Sequence, residues 1–311
     1  MPELPEVQTT VDGLRKTVVG LTIQDVWTDL ARNDIARPDY RETIKYLPFY
    51  EHFKLSVRGA KILSAERRAK NILINLSGGV TILIHMKMTG HIMYGSYAYD
   101  KNENTWAPDV NETNDALRDP FNKFLHLVLT FQNGRQLVLS DMRHFAKVTL
   151  LSTAAAHDTR HLKGIGPEPL DEAFTYAVFK TRLDTKASGR IKTVLMDQTV
   201  IAGVGNIYSD EALWLAGIHP ESRTTKIPEK KLKELFVAVL AVLKKGIDFG
   251  GDSTSDYRRI DGTRGKFSAE HNAYRLTGKP CRKPKCKGVI LRKVVGGRSA
   301  HFCSIHQALF V

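Results

Sequence analysis

Apolar residues return at every third or fourth position at the start of the chain. Val7, Val11, Leu14 and Val18 share one face of a helix expected from Glu3 to about Val19, and Gly20 stands where that helix would stop. Pro2 and Pro5 suit such a start, because the N–H groups of a first turn have no intrahelical partner. From Leu21 to about Leu150 the pattern changes to short β-rich runs. LTIQDVW, LSVRGAKILSAERR, NILINL, VTILIHM, FLHLVLTF and RQLVLSD read as strands, with Gly78-Gly79 and Asn133-Gly134 between several of them. Together they predict a sandwich or barrel of antiparallel strands. The polar stretch 94–123 has little periodicity and reads as a long, partly mobile loop.

Around GIGPEPL (164–170) the signals turn helical, with helices expected at about 171–184, 189–197, 206–216 and 228–247. The expected organisation is α+β. An N-terminal antiparallel β-sandwich with flanking helices occupies 1–152, a linker 153–166, a helical domain 167–267 and a compact cysteine-containing module 274–311. No internal repeat or low-complexity tract interrupts this order.

Composition narrows the function. The 311 residues suit two domains, and 42% hydrophobic content excludes disorder for most of the chain. A net charge of +13 points to a polyanionic partner, nucleic acid ahead of an acidic membrane surface. The excess gathers at the end of the chain, where residues 251–311 hold 13 Lys or Arg against 4 Asp or Glu. No stretch is apolar for long enough to cross a bilayer, and the amino terminus lacks a basic-then-apolar signal. A cytoplasmic, nucleoid-associated bacterial protein is therefore expected.

Three cysteines in a large chain argue against a disulfide framework and for a metal. Cys281, Cys286, Cys303 and His306 follow the pattern C-x4-C-x16-C-x2-H, two knuckle-like pairs around the strand-like stretches VILRKVV and SAHFC. Four such ligands match a closed tetrahedral site holding one structural Zn2+, which would fold a hairpin too small to be stable alone. His301 is close enough in sequence to be an alternative to His306.

Several motifs remain: MPELPEV at the start, Lys70 in ERRAKNILINL, His85 and Met88 in HMKMTGH, Arg143 and Phe145 in SDMRHFAKV. Further along come DQTVIAGVGNIY continuing as SDEALWLAGIHP, then GGDSTSDYRRIDGTRGKF, and Tyr274 and Arg298 around the cysteines. In combination they resemble the formamidopyrimidine-DNA glycosylases and their endonuclease VIII relatives, which excise oxidised bases and cut the strand. The resemblance covers both ends and much of the middle, and leaves out 95–122 and some helical surface. Leu4 is similar to the formamidopyrimidine branch, since the other branch usually has Gly there.

The resemblance implies a bifunctional glycosylase and apurinic/apyrimidinic lyase of base excision repair. It would act as a monomer on duplex DNA, with 8-oxoguanine and formamidopyrimidines as its main lesions. Met1 would be removed, and the secondary amine of Pro2 would attack C1′ of the damaged nucleotide to form an imine. Glu3 would be the general acid, and Lys70 would bind a flanking phosphate and assist β,δ-elimination. His85 would contact phosphate, while Met88, Arg143 and Phe145 would fill the hole left by the extruded base. His144 and Ala146 depart from the Arg and Gly usual in the family, which bears on the preference for the opposite base.

The segment around Asn206 would be the family's helix–two-turns–helix, with Asn206, Tyr274 and Arg298 as further DNA contacts. Residues 250–262 would cap the lesion. Glu6 with Asp252, Ser253, Thr254, Ser255, Asp256 and Tyr257 would form its recognition set, Asp252 standing where family loops often carry Ser. Two other readings share this fold: a broader, endonuclease VIII-like specificity for oxidised pyrimidines, and a non-catalytic damage-binding protein. A zinc hydrolase is disfavoured, because four protein ligands leave no open position.

Overall fold

A computed structural model describes residues 1–311, which divide into two compact units: Met1–Lys163 with Gly250–Lys266, and Gly164–Phe249 with Phe267–Val311. The division differs from the expected one: the cysteine-containing module 274–311 is part of the helical unit rather than separate from it, and two other boundaries move. Residues 153–163 belong with the first unit rather than to a linker, and 250–266 leave the helical domain to join the N-terminal one.

In the first unit, α1 (Leu4–Thr17) starts as its pattern predicts and buries Val7, Val11 and Leu14. Two antiparallel four-stranded sheets follow. One has the order β1-β8-β9-β5, from β1 (Ile23–Thr28), β5 (His91–Gly95), β8 (Leu125–Phe131) and β9 (Gln136–Ser140). The other has the order β10-β4-β3-β2, from β2 (Ile62–Arg68), β3 (Asn71–Leu76), β4 (Val80–His85) and β10 (Lys147–Ser152). Alternate residues of both sheets, among them Ile72, Ile74, Ile82, Ile84, Leu127, Leu129, Leu137 and Leu139, meet α1 in one core. That is the expected sandwich.

The run from Leu55 does not begin as a strand. Residues Leu47–Val57 form α2, which turns Tyr50, Phe53 and Val57 inward at helical spacing, and Gly59 in a left-handed conformation precedes the strand that starts at Ile62. The expected loop 94–123 also has structure. It holds the hairpin β6 (Tyr97–Asp100) and β7 (Thr105–Pro108), then 3-10 turns at Asp115–Arg118 and Pro120–Asn122. Tyr97 and Leu117 pack on Met93, Leu125, Val128 and Val138, a second apolar cluster fringed by Trp27 and Trp106.

The second unit contains α3 (Tyr176–Asp184), α4 (Ile191–Met196), α5 (Asn206–Ala216) and α6 (Glu229–Asp248), then the hairpin β11 (Ile290–Val295) and β12 (Arg298–Cys303). Helix α3 starts later than the expected position 171, where the Thr175 hydroxyl caps the Val178 N–H. Helix α6 buries Leu232, Leu235, Val239, Val242 and Leu243, the amphipathic stripe its sequence announces. No helix is long and apolar enough to cross a membrane.

Candidate active site and metal centre

Pro2 and Glu3 immediately precede α1, and both are buried. Glu3 is the N-cap, and its backbone N–H donates to Glu6 Oε2 at 2.8 Å, the capping-box arrangement that fixes the entry of the chain. The second Glu6 oxygen is engaged far along the chain, accepting the Asp252 N–H at 2.6 Å. The Tyr257 hydroxyl donates to the Glu6 carbonyl at 3.1 Å. Glu6 thus joins the start of α1 to the 250–266 loop within one unit.

Within that loop, Asp252 Oδ1 accepts the Thr254 N–H at 3.0 Å, and the Ser253 hydroxyl donates to the Tyr257 carbonyl at 2.7 Å. Tyr257 is buried, which raises its phenol pKa. Ser255 gives its carbonyl to Arg258, and Asp256 is half-buried beside it.

Lys70 occupies the tight turn between β2 and β3, where Ala69 takes φ +52°. It is only 6% exposed, unlike the solvated lysine usual at a strand start. His85 closes β4. Its Nδ1 accepts the Lys87 N–H at 3.0 Å, so the neutral ring carries its proton on Nε2. Burial, helped by the Lys87 and Lys70 charges, pushes its pKa down to about 3.

Met88, Arg143 and Phe145 come from two separate loops, yet they meet. Arg143 Nη1 lies 3.1 Å from Met88 Sδ, and its guanidinium carbon lies 4.6 Å from the Phe145 ring centroid. All three are exposed. Asp141, which is buried, ties the loops together, accepting from the Thr89 hydroxyl through one oxygen and from the Ala146 N–H at 2.7 Å through the other. His144 takes φ +55°, with its carbonyl accepting from Lys45 Nζ at 2.6 Å and its ring against that of His126. Sequence reasoning missed Asp141 and Thr89. Both lie inside the quoted motifs HMKMTGH and SDMRHFAKV, and that position was the only signal.

In the second unit Asn206 opens α5 behind the Gly205 N-cap. The preceding turns are pinned by Gln198, whose Oε1 accepts the Gly203 N–H at 2.9 Å and whose Nε2 donates to the Val204 carbonyl at 2.8 Å. Tyr274 packs edge-on against His271 and His301, and its N–H donates to Glu211 Oε1 at 2.8 Å. Arg298 begins β12 directly after the Gly296-Gly297 turn and is exposed. Behind it lies a buried trio. Asp210 Oδ1 accepts from Lys192 Nζ, and its Oδ2 accepts both the His301 N–H at 2.9 Å and His301 Nδ1–H at 3.0 Å.

The donor atoms of Cys281, Cys286, Cys303 and His306 all lie within 4.8 Å of one another. Cys286 Sγ and Cys303 Sγ are 3.6 Å apart, and Cys281 Sγ is 3.3 Å from His306 Nδ1. A tetrahedral ion with metal–sulfur bonds of about 2.3 Å separates its sulfurs by about 3.8 Å, so the cluster fits a metal ion. His306 Nε2 lies 2.9 Å from the Trp214 carbonyl. Donating there fixes the tautomer and leaves the Nδ1 lone pair facing the thiols. His301 is committed to Asp210, and His306 is the histidine that clusters with the three cysteines.

Comparison with known proteins gives a consistent picture. Residues 1–148 match the model of the formamidopyrimidine-DNA glycosylase N-terminal domain, and residues 165–258 match that of the formamidopyrimidine-DNA glycosylase H2TH domain. The chain is 36% identical over 307 residues to a formamidopyrimidine-DNA glycosylase of Pelotomaculum thermopropionicum, covering 99% of each. It is 37% identical over 311 residues to one of Chloroflexus aggregans, again covering 99% of each. Among solved structures it resembles a complex of the Lactococcus lactis protein with DNA containing an abasic site, with a TM-score of 0.79 and 31% identity, covering 98% of this chain and 99% of that one. A mutant of the same protein with Fapy-dG-containing DNA superposes with a TM-score of 0.80 at 31% identity, with the same coverage.

Proposed function

This chain belongs to the formamidopyrimidine-DNA glycosylase family, and we propose that it is a bifunctional enzyme that releases oxidised purines from duplex DNA and then cuts the strand as a lyase. The observation that carries the reading is the start of α1. There Pro2 and Glu3 are buried side by side, and Glu6 clasps the loop that would cover the lesion.

Once Met1 is removed, Pro2 presents a secondary amine. Burial and the positive end of α1 both favour its neutral, nucleophilic form. The amine forms a bond to C1′ as Glu3 protonates the ring oxygen O4′ and the C1′–O4′ bond opens, its electrons passing to O4′. The damaged base leaves with the electrons of its glycosidic bond and takes up the proton given up by the amine nitrogen, whose freed lone pair completes a cationic imine. The imine acidifies the neighbouring sugar carbon. Loss of its proton expels the 3′ phosphate, a second elimination expels the 5′ phosphate, and hydrolysis frees Pro2.

Lys70 and His85 Nε2–H supply the cation and the donor that hold the flanking phosphate. Met88 and Phe145, each against Arg143, fill with it the space of the extruded base and offset part of the unstacking cost. Asn206, Tyr274 and Arg298 make further contacts to the DNA backbone. Asp252, Ser253, Thr254, Ser255, Asp256 and Tyr257 close over the base. The metal is structural Zn2+, which when bound crosslinks the ends of the hairpin that carries Arg298.

Borohydride trapping tests the proposal. Processed protein incubated with an 8-oxoguanine duplex should give a covalent adduct whose DNA-bearing residue is Pro2. Failure to trap any adduct, or trapping on a lysine, would overturn the mechanism. Preferential cleavage at thymine glycol would overturn the purine preference.

A further inference from the structure

Residues 109–122 have no part in the scheme above, yet several of their side chains reach one limb of the 250–266 loop. Asp119 Oδ1 accepts from Arg258 Nη2 at 3.0 Å, and Oδ2 from Arg264 Nη2 at 3.3 Å. Arg258 is 0% exposed, an unusual state for an arginine, and its guanidinium lies 4.9 Å from the Phe121 ring centroid. Its Nη1 donates to the carbonyls of Ser255 and Tyr257, both at 2.9 Å.

Two asparagines repeat the connection. Asn114 Nδ2 donates to the Asp261 carbonyl at 2.8 Å, and Asn122 Nδ2 to the Gly262 carbonyl at 3.4 Å. Gly262 has φ +79°, and a Cβ there would stand 2.8 Å from the Ala116 carbonyl oxygen, so only glycine permits the approach. The segment itself is fixed to the sandwich. Leu117 is buried in the second apolar cluster, and Asn122 Oδ1 accepts from His91 Nε2 in β5 at 3.0 Å.

We propose that residues 109–122 are a buttress that sets the conformation of the lesion-capping loop, with Asp119 and Arg258 as positioning residues for recognition of the damaged base. Glu6 holds the loop at Asp252, and Asp119 holds it at Arg258. Only 253–257 is left to span the anchors, and the Ser253–Tyr257 bond closes its base. A loop tethered at both ends has little conformational freedom left to lose when it meets a base. The proposal rests on the reading of 250–262 as the capping loop.

The test compares wild type with Asp119→Ala, Arg258→Ala, the conservative Asp119→Glu and the exchange Asp119→Arg/Arg258→Asp. An abasic duplex has no base to cap. Loss of the anchor should therefore slow 8-oxoguanine release on the order of tenfold while abasic-strand cleavage stays within about twofold. Asp119→Glu should recover most of the rate. Equal loss on both substrates, or no loss on either, would overturn the proposal.

Hydrogen exchange of residues 250–266 in the free protein gives a readout independent of activity. Protection should fall in Asp119→Ala and return in Asp119→Glu. Unchanged protection would refute the buttress. Lowered protection in a protein that never releases 8-oxoguanine would leave the anchor standing and refute the glycosylase assignment of the loop instead.

Discussion

Replacing Asp210 by alanine is the sharpest test of how the second unit holds its basic hairpin. Asp210 and Lys192 both have fully buried side chains, and the Asp210 carboxylate serves three donors: Lys192 Nζ, the His301 backbone N–H and His301 Nδ1–H. Breaking a buried ion pair from one side costs about 3 to 5 kcal/mol, because the remaining charge is left desolvated. The orphaned His301 N–H adds about 1 kcal/mol or more. Lys192 Nζ keeps the Ser299 carbonyl at 2.7 Å, which offsets part of the loss, so about 4 kcal/mol is expected in all. Lys192→Met should cost a similar amount. The double variant Lys192→Met/Asp210→Ala should lose less than the two single costs together by at least about 2 kcal/mol, because it leaves no unpaired charge. Urea unfolding measures this, with Trp27 and Trp106 changed to Phe so that Trp214 alone reports on the second unit. Single costs below about 1 kcal/mol, or strict additivity, would refute the argument.

Other expectations follow from the same structure. His91 is buried and its pKa is lowered by that burial to about 4, so below pH 6.5 the unfolded chain takes up a proton that the folded chain refuses. Its contribution to stability is intact above pH 6.5 and falls by about 2 kcal/mol by pH 5, the loss continuing until pH reaches the folded value. His91→Gln should flatten that acid limb in a series of melts between pH 7 and 5, and an unchanged slope would exclude His91 as its source. Chelation should release one metal equivalent and weaken duplex binding at least tenfold, as should Cys303→Ser, because the hairpin then lacks its crosslink; full affinity after metal removal would count against it. Phe145 is exposed, so Phe145→Ala should leave stability within about 0.5 kcal/mol while slowing release of a paired lesion about tenfold. Equal slowing of abasic-site cleavage would argue against a void-filling role.

The features legible in the sequence are those whose partners are close along the chain. Helix α1 shows its core stripe within four turns, and the four candidate metal ligands lie inside 26 residues around one hairpin. The features that escaped are made by distant partners. The 97–108 hairpin looks featureless because its aromatic residues, Tyr99 and Trp106, are completed by Trp27 on another strand. Helix α2 has a core triplet, Tyr50, Phe53 and Val57, but Leu55 in its last turn points outward and mimics the alternation of a strand. Arg258 reads as a surface cation until Asp119, 139 residues away, is placed against it.

Asp252 shows the same principle at the site itself. Read locally, a carboxylate in a loop meant to lie near phosphates should repel DNA, and its presence where the family often has Ser looks like a defect. In the fold its N–H is held by Glu6, its Oδ1 caps the Thr254 N–H, and the side chain is buried. A serine hydroxyl offers the same local acceptor, so aspartate preserves the turn that serine would make. The substitution therefore bears on how firmly the loop is formed more than on how the loop attracts DNA, and Asp252→Ser should leave the salt dependence of duplex binding unchanged while it alters protection of the Thr254 amide.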